Sequence, residues 1–479
     1  MSIAIVWFRR DLRLIDNPAL DAAVRSGLPI VALYVHCPEE DGDWRAGAAS
    51  NWWLHHSLVA LDAQLRERGG RLLVRRGPTL AAMVRVIAET GAVAVYWNRC
   101  YEPASIARDR VIQSQLQADG ITVESHNAAL LVEPWQVTTQ AGQPYRVFTP
   151  FWKNVIGRVT HALPSPAPRA LRWSDVTLPG EAIESLGLLP QFAWDRGLRA
   201  TWTPGEQGAL LRLRAFAAQA ARYAQARDRP DQDGTSMLSP HLHFGEISPR
   251  QVMAALQREA QGDPGWMDRV EPYLRELGWR EFAHHLLYHF PATVEHNLNA
   301  RFDHLAWAEP EAKLLRAWQR GRTGIPIVDA GMRQLWEIGW MHNRVRMIVA
   351  SFLTKNLRYH WRHGARWFWD TLVDADLAAN TLGWQWVAGT GADAAPYFRI
   401  FNPVLQGERF DPHGHYVRRY LPELARVPAA RIHRPWTLAP AQQREFGVCD
   451  VYAMPLVDLA RSREAALEAH ARMRAGDPR

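Results

Sequence analysis

Short apolar runs rich in β-branched residues recur near the start of the chain, at Ile3–Trp7, Ile30–Val35, Arg71–Val74, Ala92–Trp97 and Ile121–Val123. Between them lie segments with apolar residues at helical spacing, such as Trp53–Arg68 and Leu80–Thr90. Strands alternating with covering helices are the pattern of a parallel sheet, so residues 1–131 are expected to form a doubly wound α/β domain. No Gly-x-Gly-x-x-Gly follows the first strand. Phe8-Arg9-Arg10-Asp11-Leu12-Arg13 stands there instead, which disfavours a dehydrogenase of the Rossmann type.

Residues 132–205 are rich in proline, including Pro164, Pro166 and Pro168, and read as a long inter-domain linker with an ordered island at Tyr145–Phe151. From 206 to 479 the periodicity is helical, with clear segments at Leu210–Arg227, Pro249–Gln261, Val270–His289, Glu311–Arg320 and Ile327–Ile338. An all-α C-terminal domain is expected there, with a surface helix over Ser462–Arg474. No internal repeat is visible.

A chain of 479 residues with 47% hydrophobic and 22% charged residues is an ordinary folded protein of two or three domains, which excludes disorder and small stapled scaffolds. The formal net charge of +7 leaves room for an anionic partner. Only Lys153, Lys313 and Lys355 are lysines, so the 56 basic residues are nearly all arginines, whose planar fork suits phosphate and carboxylate. Cys37, Cys100 and Cys449 are widely separated and signal neither a disulfide framework nor a cysteine-rich zinc site. With no signal-peptide core and no membrane-length apolar run, a cytoplasmic protein is expected, and no membrane partner. The unusual number is 22 Trp, nine of them between Trp307 and Trp386.

Several segments could carry chemistry. Glu276-Leu277-Gly278-Trp279-Arg280-Glu281 places Glu276, Trp279 and Arg280 on one helical face, where an acid, a flat aromatic and a guanidinium meet; the same spacing also makes a plain ion pair beside a half-buried Trp. In Gly339–Met347 a helix would set Trp340, Asn343 and Met347 on one face, with Arg344 and Arg346 pointing elsewhere. An amide beside a thioether suits a planar polar group, and a Met equally fills a core gap. Asp374, Asp376 and Asn380 lie in an otherwise apolar stretch and need partners, for which Arg344 or Arg346 would serve. His342 has no second His at ligand spacing, and the two carboxylates have few further oxygen ligands nearby, so no metal is expected. Gly234–Pro240 offers hydroxyls and backbone N–H groups ahead of a helix, as a phosphate clasp or a plain N-cap would.

Together these motifs resemble the photolyase and cryptochrome family. The resemblance runs through Val6–Arg13, Gly234–Ser239, Trp279–Phe282, Thr323–Ala330, Trp340–Arg344, Asp374–Trp386 and Phe398–Pro403, and covers most of the chain. It implies an N-terminal α/β antenna domain, a helical domain that buries FAD, and the activity of a deoxyribodipyrimidine photolyase. Photoexcited reduced FAD would pass an electron to a cyclobutane pyrimidine dimer in DNA, the dimer having been flipped from the duplex as photolyases do. The alternative is a cryptochrome, a blue-light photoreceptor without repair activity.

Carried onto this chain, the resemblance implies that Tyr223, Thr235, Ser236, Met237, Leu238 and Ser239 hold the FAD phosphates and ribityl chain. Arg346 would pair with Asp374 beside the flavin ring, Asp376 would hydrogen-bond the ring, and Asn380 would face its N5. Trp279 and Trp386 would wall the lesion, Glu276 would bind a thymine carbonyl, and Asn343 and Met347 would complete the pocket. Arg227, Arg280, Arg344, Arg399 and Gln406 would bind the strand, and Trp384, Trp361 and Trp307 would carry electrons from the surface to the flavin.

Plant cryptochromes carry Asp where this chain has Asn380, and (6-4) photolyases place histidines where it has Asn343 and Met347. The chain therefore resembles a bacterial class III cyclobutane-dimer photolyase, with class I the close neighbour. Folate-binding members are similar at Asn98–Glu102, with Glu102 the expected antenna contact, although the Cys-Lys pair some of them use is not found near Pro291–Asn297. The expected antenna is methenyltetrahydrofolate, with 8-hydroxy-deazaflavin the alternative, and the protein is expected to be a monomer.

Overall fold

The five apolar runs become strands β1 (Ile3–Trp7), β2 (Ile30–His36), β3 (Leu72–Arg76), β4 (Ala92–Asn98) and β5 (Thr122–His126) in the computed structural model. It describes residues 2–159, 163–260, 262–393, 398–450 and 452–476. The strands pair in parallel in the order β3-β2-β1-β4-β5, with Val6 opposite both Ala32 and Tyr96. All of β1 is buried, as befits the centre of a sheet covered on both faces, whereas β5 at the edge is partly exposed throughout. Helices Pro18–Arg25, Ala48–Arg66, Thr79–Thr90 and Pro103–Ala118 supply the cover. Ile5, Leu33, Met83, Val95, Ile112 and Leu116 pack in the core beside Trp7, whose ring meets that of Trp97 edge-on at 5.7 Å.

Much of the opening Arg-rich motif is consumed in holding this domain together. The Arg9 guanidinium donates to both oxygens of Asp109 at 2.7 Å, and Arg13, almost wholly buried, donates to the carbonyls of Asp16, Ala128 and Gly245. Buried carbonyls need donors, and a guanidinium with five N–H groups serves several at once.

The proline-rich stretch 132–205 carries more structure than its composition promises. Helix Phe148–Ile156 lies against helix Trp266–His289, where a Cβ on Gly278 would come within 2.5 Å of Trp152 Cε3. Further on, Trp173 covers Gly70 and donates Nε1 to the Arg68 carbonyl at 2.7 Å, while Arg172 and Ser174 bond across to Ile30. Aromatic anchors and borrowed backbone partners thus replace the self-contained hydrogen bonding that proline denies the segment.

The chain divides into two compact units, each built from several stretches of sequence. The first comprises Met1–Ala221, Ser236–Pro291 and Val373–Ala378; the second comprises Arg222–Thr235, Ala292–Leu372 and Ala379–Arg479. The expected helix Leu210–Arg227 is broken accordingly. It runs as Glu206–Ala217, tightens where Gln219 N–H donates to Phe216, and resumes as a separate short turn at Tyr223–Ala226.

Within the second unit the Thr323–Ala330 motif is structural. Asp329 Oδ1 accepts from Thr323 N and Oγ1 at 2.7 and 2.6 Å, and its Oδ2 accepts from Gly324 N at 3.0 Å, closing the entry to helix Pro326–Ile338. That helix ends at Gly339, whose φ of +66° is left-handed. Trp340 and Met341 therefore lie in a turn, and His342 caps the next helix, Asn343–Ser351, with Nδ1 accepting from Arg344 N–H. This corrects the expected shared helical face: Trp340 stands outside the helix of Asn343 and Met347, and Arg346 folds back toward it, with Nε on the Met341 carbonyl at 2.7 Å and the guanidinium 5.8 Å from the Trp340 ring. The helix runs on into a π turn, Phe352–Asn356, and the C-terminal helix spans Leu459–Ala475 with Asp458 as its cap.

Candidate active site

In the first unit, Glu276, Trp279 and Arg280 share helix Trp266–His289, as their spacing requires. Trp279 is half-buried and stacks on Phe148 at 3.8 Å with an interplanar angle of 7°. Glu276 is half-buried one turn before it, and its charge, after burial, helps to raise the Tyr273 phenol. Arg280 is drawn toward its own chain: Nη1 donates to the Ala129 carbonyl at 2.6 Å, leaving its side chain 15% exposed.

Ser239 Oγ donates to Asp374 Oδ2 at 2.6 Å, which ties the loop Ser236–Ser239 to the start of the Asp374 segment. Asp376 faces two imidazoles, with His243 Nδ1 at 3.4 Å and His284 Nε2 at 3.6 Å. Burial alone would raise its carboxyl, but His284, His243 and Arg280 hold it well below the ordinary range. No spacing rule announces these histidines, because sequence separations of roughly a hundred residues divide them from their partner. Met237 sits at a φ of +49°, left-handed for a residue with a side chain. None of the backbone N–H groups of Gly234, Thr235, Ser236 and Met237 donates to another described residue.

The strand order turns back between β1 and β4, and the crevice beyond their carboxyl ends is where open α/β sheets bind ligands. Arg10 and Glu102 form an ion pair there. Burial would raise the Glu102 carboxyl, yet Arg10 and His284 keep it below its usual range, and its Oε2 is buried without a hydrogen-bond partner among the described residues. Tyr101, Trp135, Tyr288 and His284 form an aromatic cluster, with Tyr101 6.2 Å from His284 and Trp135 5.4 Å from Tyr288. Asn98, in contrast, is spent on Asp11 and Asn17, at 2.6 and 2.7 Å.

In the second unit, Arg227 lies 5.3 Å above the Tyr223 ring, and Gly234 is packed so closely that a Cβ would meet that of Ala226 at 2.4 Å. Arg344 donates Nη2 to Asp228 at 2.8 Å and lies 4.4 Å over Phe410. Asn343 is exposed and Met347 half-buried on the same helix. Asn380 is buried on helix Leu377–Ala388, its Nδ2 donating to the Ala365 carbonyl at 3.0 Å, an arrangement that reserves Oδ1 as an acceptor. Half-buried Trp386, two turns on, donates Nε1 to the Asp393 carbonyl at 3.1 Å. Arg399 is exposed and Gln406 half-buried.

Three tryptophans of this unit grade from core to surface. Trp384 and Trp361 are buried and Trp307 only partly so. His360 bridges the outer two, 5.1 Å from Trp307 and 5.4 Å from Trp361. Among the described residues there is no group of three or more side chains able to hold a metal, and no helix long and apolar enough to cross a membrane.

Residues 4–169 match a family model described as DNA photolyase, and residues 273–472 match the FAD binding domain of DNA photolyase. The chain is 47% identical to a deoxyribodipyrimidine photo-lyase of Agrobacterium fabrum, over 98% of this chain and 97% of that one. It is 39% identical to Cryptochrome-1 of Arabidopsis thaliana, over 98% of this chain and 70% of the plant protein. A solved bacterial class III photolyase from Agrobacterium tumefaciens superposes with a TM-score of 0.94 at 46% identity, covering 99% of this chain and 98% of the other.

Proposed function

The chain belongs to the DNA photolyase family, and from that premise we infer that it is a deoxyribodipyrimidine photo-lyase, which uses light and FAD to split cyclobutane pyrimidine dimers in DNA. The observation that carries this reading is the 47% identity to a deoxyribodipyrimidine photo-lyase across nearly the whole of both chains.

The residues present fit FAD. Four successive N–H groups without an internal acceptor, Gly234 to Met237, suit a pyrophosphate, and Tyr223, Thr235, Ser236, Met237, Leu238 and Ser239 are assigned to that part of the cofactor. Arg346, Asp374, Asp376 and Asn380 are assigned to its ring. Asp376, held ionised, accepts a ring N–H, while the anchored Asn380 offers Oδ1 as a second acceptor. Held by these residues, FAD would supply the light-driven one-electron chemistry that splits the dimer with no net oxidation or reduction.

Every other requirement falls on side chains. Trp279, backed by Phe148, and Trp386, held by Asp393, present flat apolar faces that displace water from the dimer. Glu276 is assigned to a thymine carbonyl, to which its carboxyl would donate in the acid form, a bond that strengthens as negative charge arrives on the base. Asn343 hydrogen-bonds a base edge and Met347 packs beside it. Arg227, Arg344, Arg399 and Gln406 take the strand. Arg344 keeps guanidinium N–H groups beyond those on Asp228, so one residue serves both partners. Arg280, with Nη1 on the Ala129 carbonyl and its charge helping to hold Asp376 ionised, is assigned to the strand as well. Trp307, Trp361 and Trp384 are assigned to reduction of the oxidised cofactor.

We assign residues 1–131 to the antenna, 132–205 to the connection and 206–479 to the flavin. The orphaned Glu102 Oε2, beside the aromatic cluster of Tyr101, Trp135 and Tyr288, supports methenyltetrahydrofolate, whose pteridine ring brings donors to a carboxylate and a face to stack. The protein is taken to act as a monomer in the cytoplasm. The deciding experiment illuminates dimer-containing single-stranded DNA with the chemically reduced protein and follows thymine absorbance against a dark control. Recovery in the light alone is expected. No recovery from protein that retains reduced flavin would favour a cryptochrome instead, in line with the 39% identity to Cryptochrome-1.

A further inference from the structure

Lys355 is the one fully buried lysine of the three in the chain, and the proposed reaction gives it no task. It lies in the π turn that extends helix Asn343–Ser351. A π turn sacrifices regular helical bonding and tends to persist where a side chain has to be aimed. The Lys355 amine donates to the Ala388 carbonyl at 2.5 Å, at the C-terminal end of the helix that carries Trp384 and Trp386, and lies 3.4 Å from the centre of the Phe398 ring. A helix C-terminus and an aromatic face both favour an amine, though burial still pushes its ammonium well below the usual range. Charged or neutral, the amine donates the same hydrogen bond.

Four residues earlier, Ser351 is also buried, and its Oγ accepts the Phe401 N–H at 3.1 Å. The segment is therefore held to one helix at two points, Phe398 by Lys355 and Phe401 by Ser351. Arg399 lies between them, with its side chain exposed. The same helix bears Asn343 and Met347 in its first turns. His470 of the C-terminal helix stacks on the Phe398 ring at 4.4 Å, and Asn356 donates to Ser462 of that helix at 2.9 Å, so the clamp is braced from behind.

We propose that Ser351 and Lys355 are positioning residues, a two-point clamp that sets Arg399 for the phosphate backbone of the damaged strand. The proposal rests on the reading of Arg399 as a DNA contact. A buried amine is an expensive way to fill space, whereas a donor that reaches both a helix end and the ring beside Arg399 sets the position of that arginine.

The test measures dark binding of a dimer-containing oligonucleotide to the flavin-loaded protein, for wild type, Ser351→Ala, Lys355→Met, Arg399→Ala and the double variant Ser351→Ala/Arg399→Ala. Arg399→Ala is expected to weaken binding and to lower the slope of log affinity against log salt by about one. Ser351→Ala and Lys355→Met are expected to weaken binding about fivefold, the scale of one hydrogen bond, with flavin content and repair rate at saturating DNA unchanged. In the Arg399→Ala background the Ser351 substitution should cost nothing further, which a general loss of packing would not reproduce. Equal losses with and without Arg399, or no loss in Ser351→Ala, would overturn the clamp even if Lys355→Met failed to fold. An Arg399→Ala protein that binds like wild type would instead overturn the reading beneath it.

Discussion

The indole of Trp384 lies so close to Gly364 that a Cβ at that glycine would come within 2.0 Å of Trp384 Cη2. Gly364 is one turn along the helix that starts at Trp361, so the absence of a side chain lets the inner Trp rest on the helix of the middle one. Trp384→Phe is predicted to slow photoreduction of oxidised flavin while sparing repair by chemically reduced protein. Gly364→Ala should slow photoreduction too, because the added methyl displaces the ring, although alanine is the better helix former. Flavin absorbance followed under blue light measures both, and an unchanged rate in Trp384→Phe would remove these tryptophans from the electron path.

Glu276→Ala is predicted to lower repair yield per photon and leave flavin content intact. Its helix is anchored by Leu277, Phe282 and Ala283 in the core, none of which the change touches. The ratio of flavin to protein absorbance, with thymine recovery per absorbed photon, checks it; purified variant lacking flavin would place Glu276 outside the lesion pocket.

Glu281 is buried, with Oε2 accepting from Leu131 and Val132 N–H, and burial pushes its carboxyl up to about 7 against the partial opposition of Arg280. A carboxyl raised on folding stabilises the native state fully below its unfolded value near 4.5, and that contribution is lost as pH rises through 7. The loss is at most about 3 kcal/mol. Glu281→Gln keeps an oxygen acceptor and cannot ionise, so its Tm should fall less than that of wild type between pH 4.5 and 7. Parallel Tm curves would mean that the group does not titrate in that window.

His342 has the opposite sign. Burial, then Arg344, Arg346 and Arg227, pull its imidazole down to about 4, against some help to the charged form from Asp228. A depressed value gives stability that is present above 6.5 and lost as pH falls through 4, when the Nδ1 that caps Arg344 N–H takes a proton. His342→Asn retains a capping acceptor. Its thermal stability should decline less than wild type on acidification from pH 6.5 to 4, and an equal decline would assign the acid sensitivity to other groups.

Periodicity alone located every strand of the sheet to within two or three residues, because a parallel sheet covered on both faces demands continuous apolar runs. Helix boundaries were less legible. Trp340 has helical neighbours on both sides, and only the left-handed Gly339 stops the chain there. The stretch 132–205 looked like a linker because its prolines hide structure that depends on remote partners, such as Gly278 for Trp152 and Gly70 for Trp173.

The sequence by itself determined the fold class, the family and the residue types of the site, since these follow from local pattern and from motifs written contiguously along the chain. Tertiary structure alone decided how those residues are spent. Arg280 turns to the Ala129 carbonyl, Asp376 lies between His243 and His284, and Lys355 and Ser351 bracket Arg399. Burial sets the reason: once desolvated, a charge or a polar atom has to find whichever partner the packing brings within reach, and spacing along the chain carries no record of that partner.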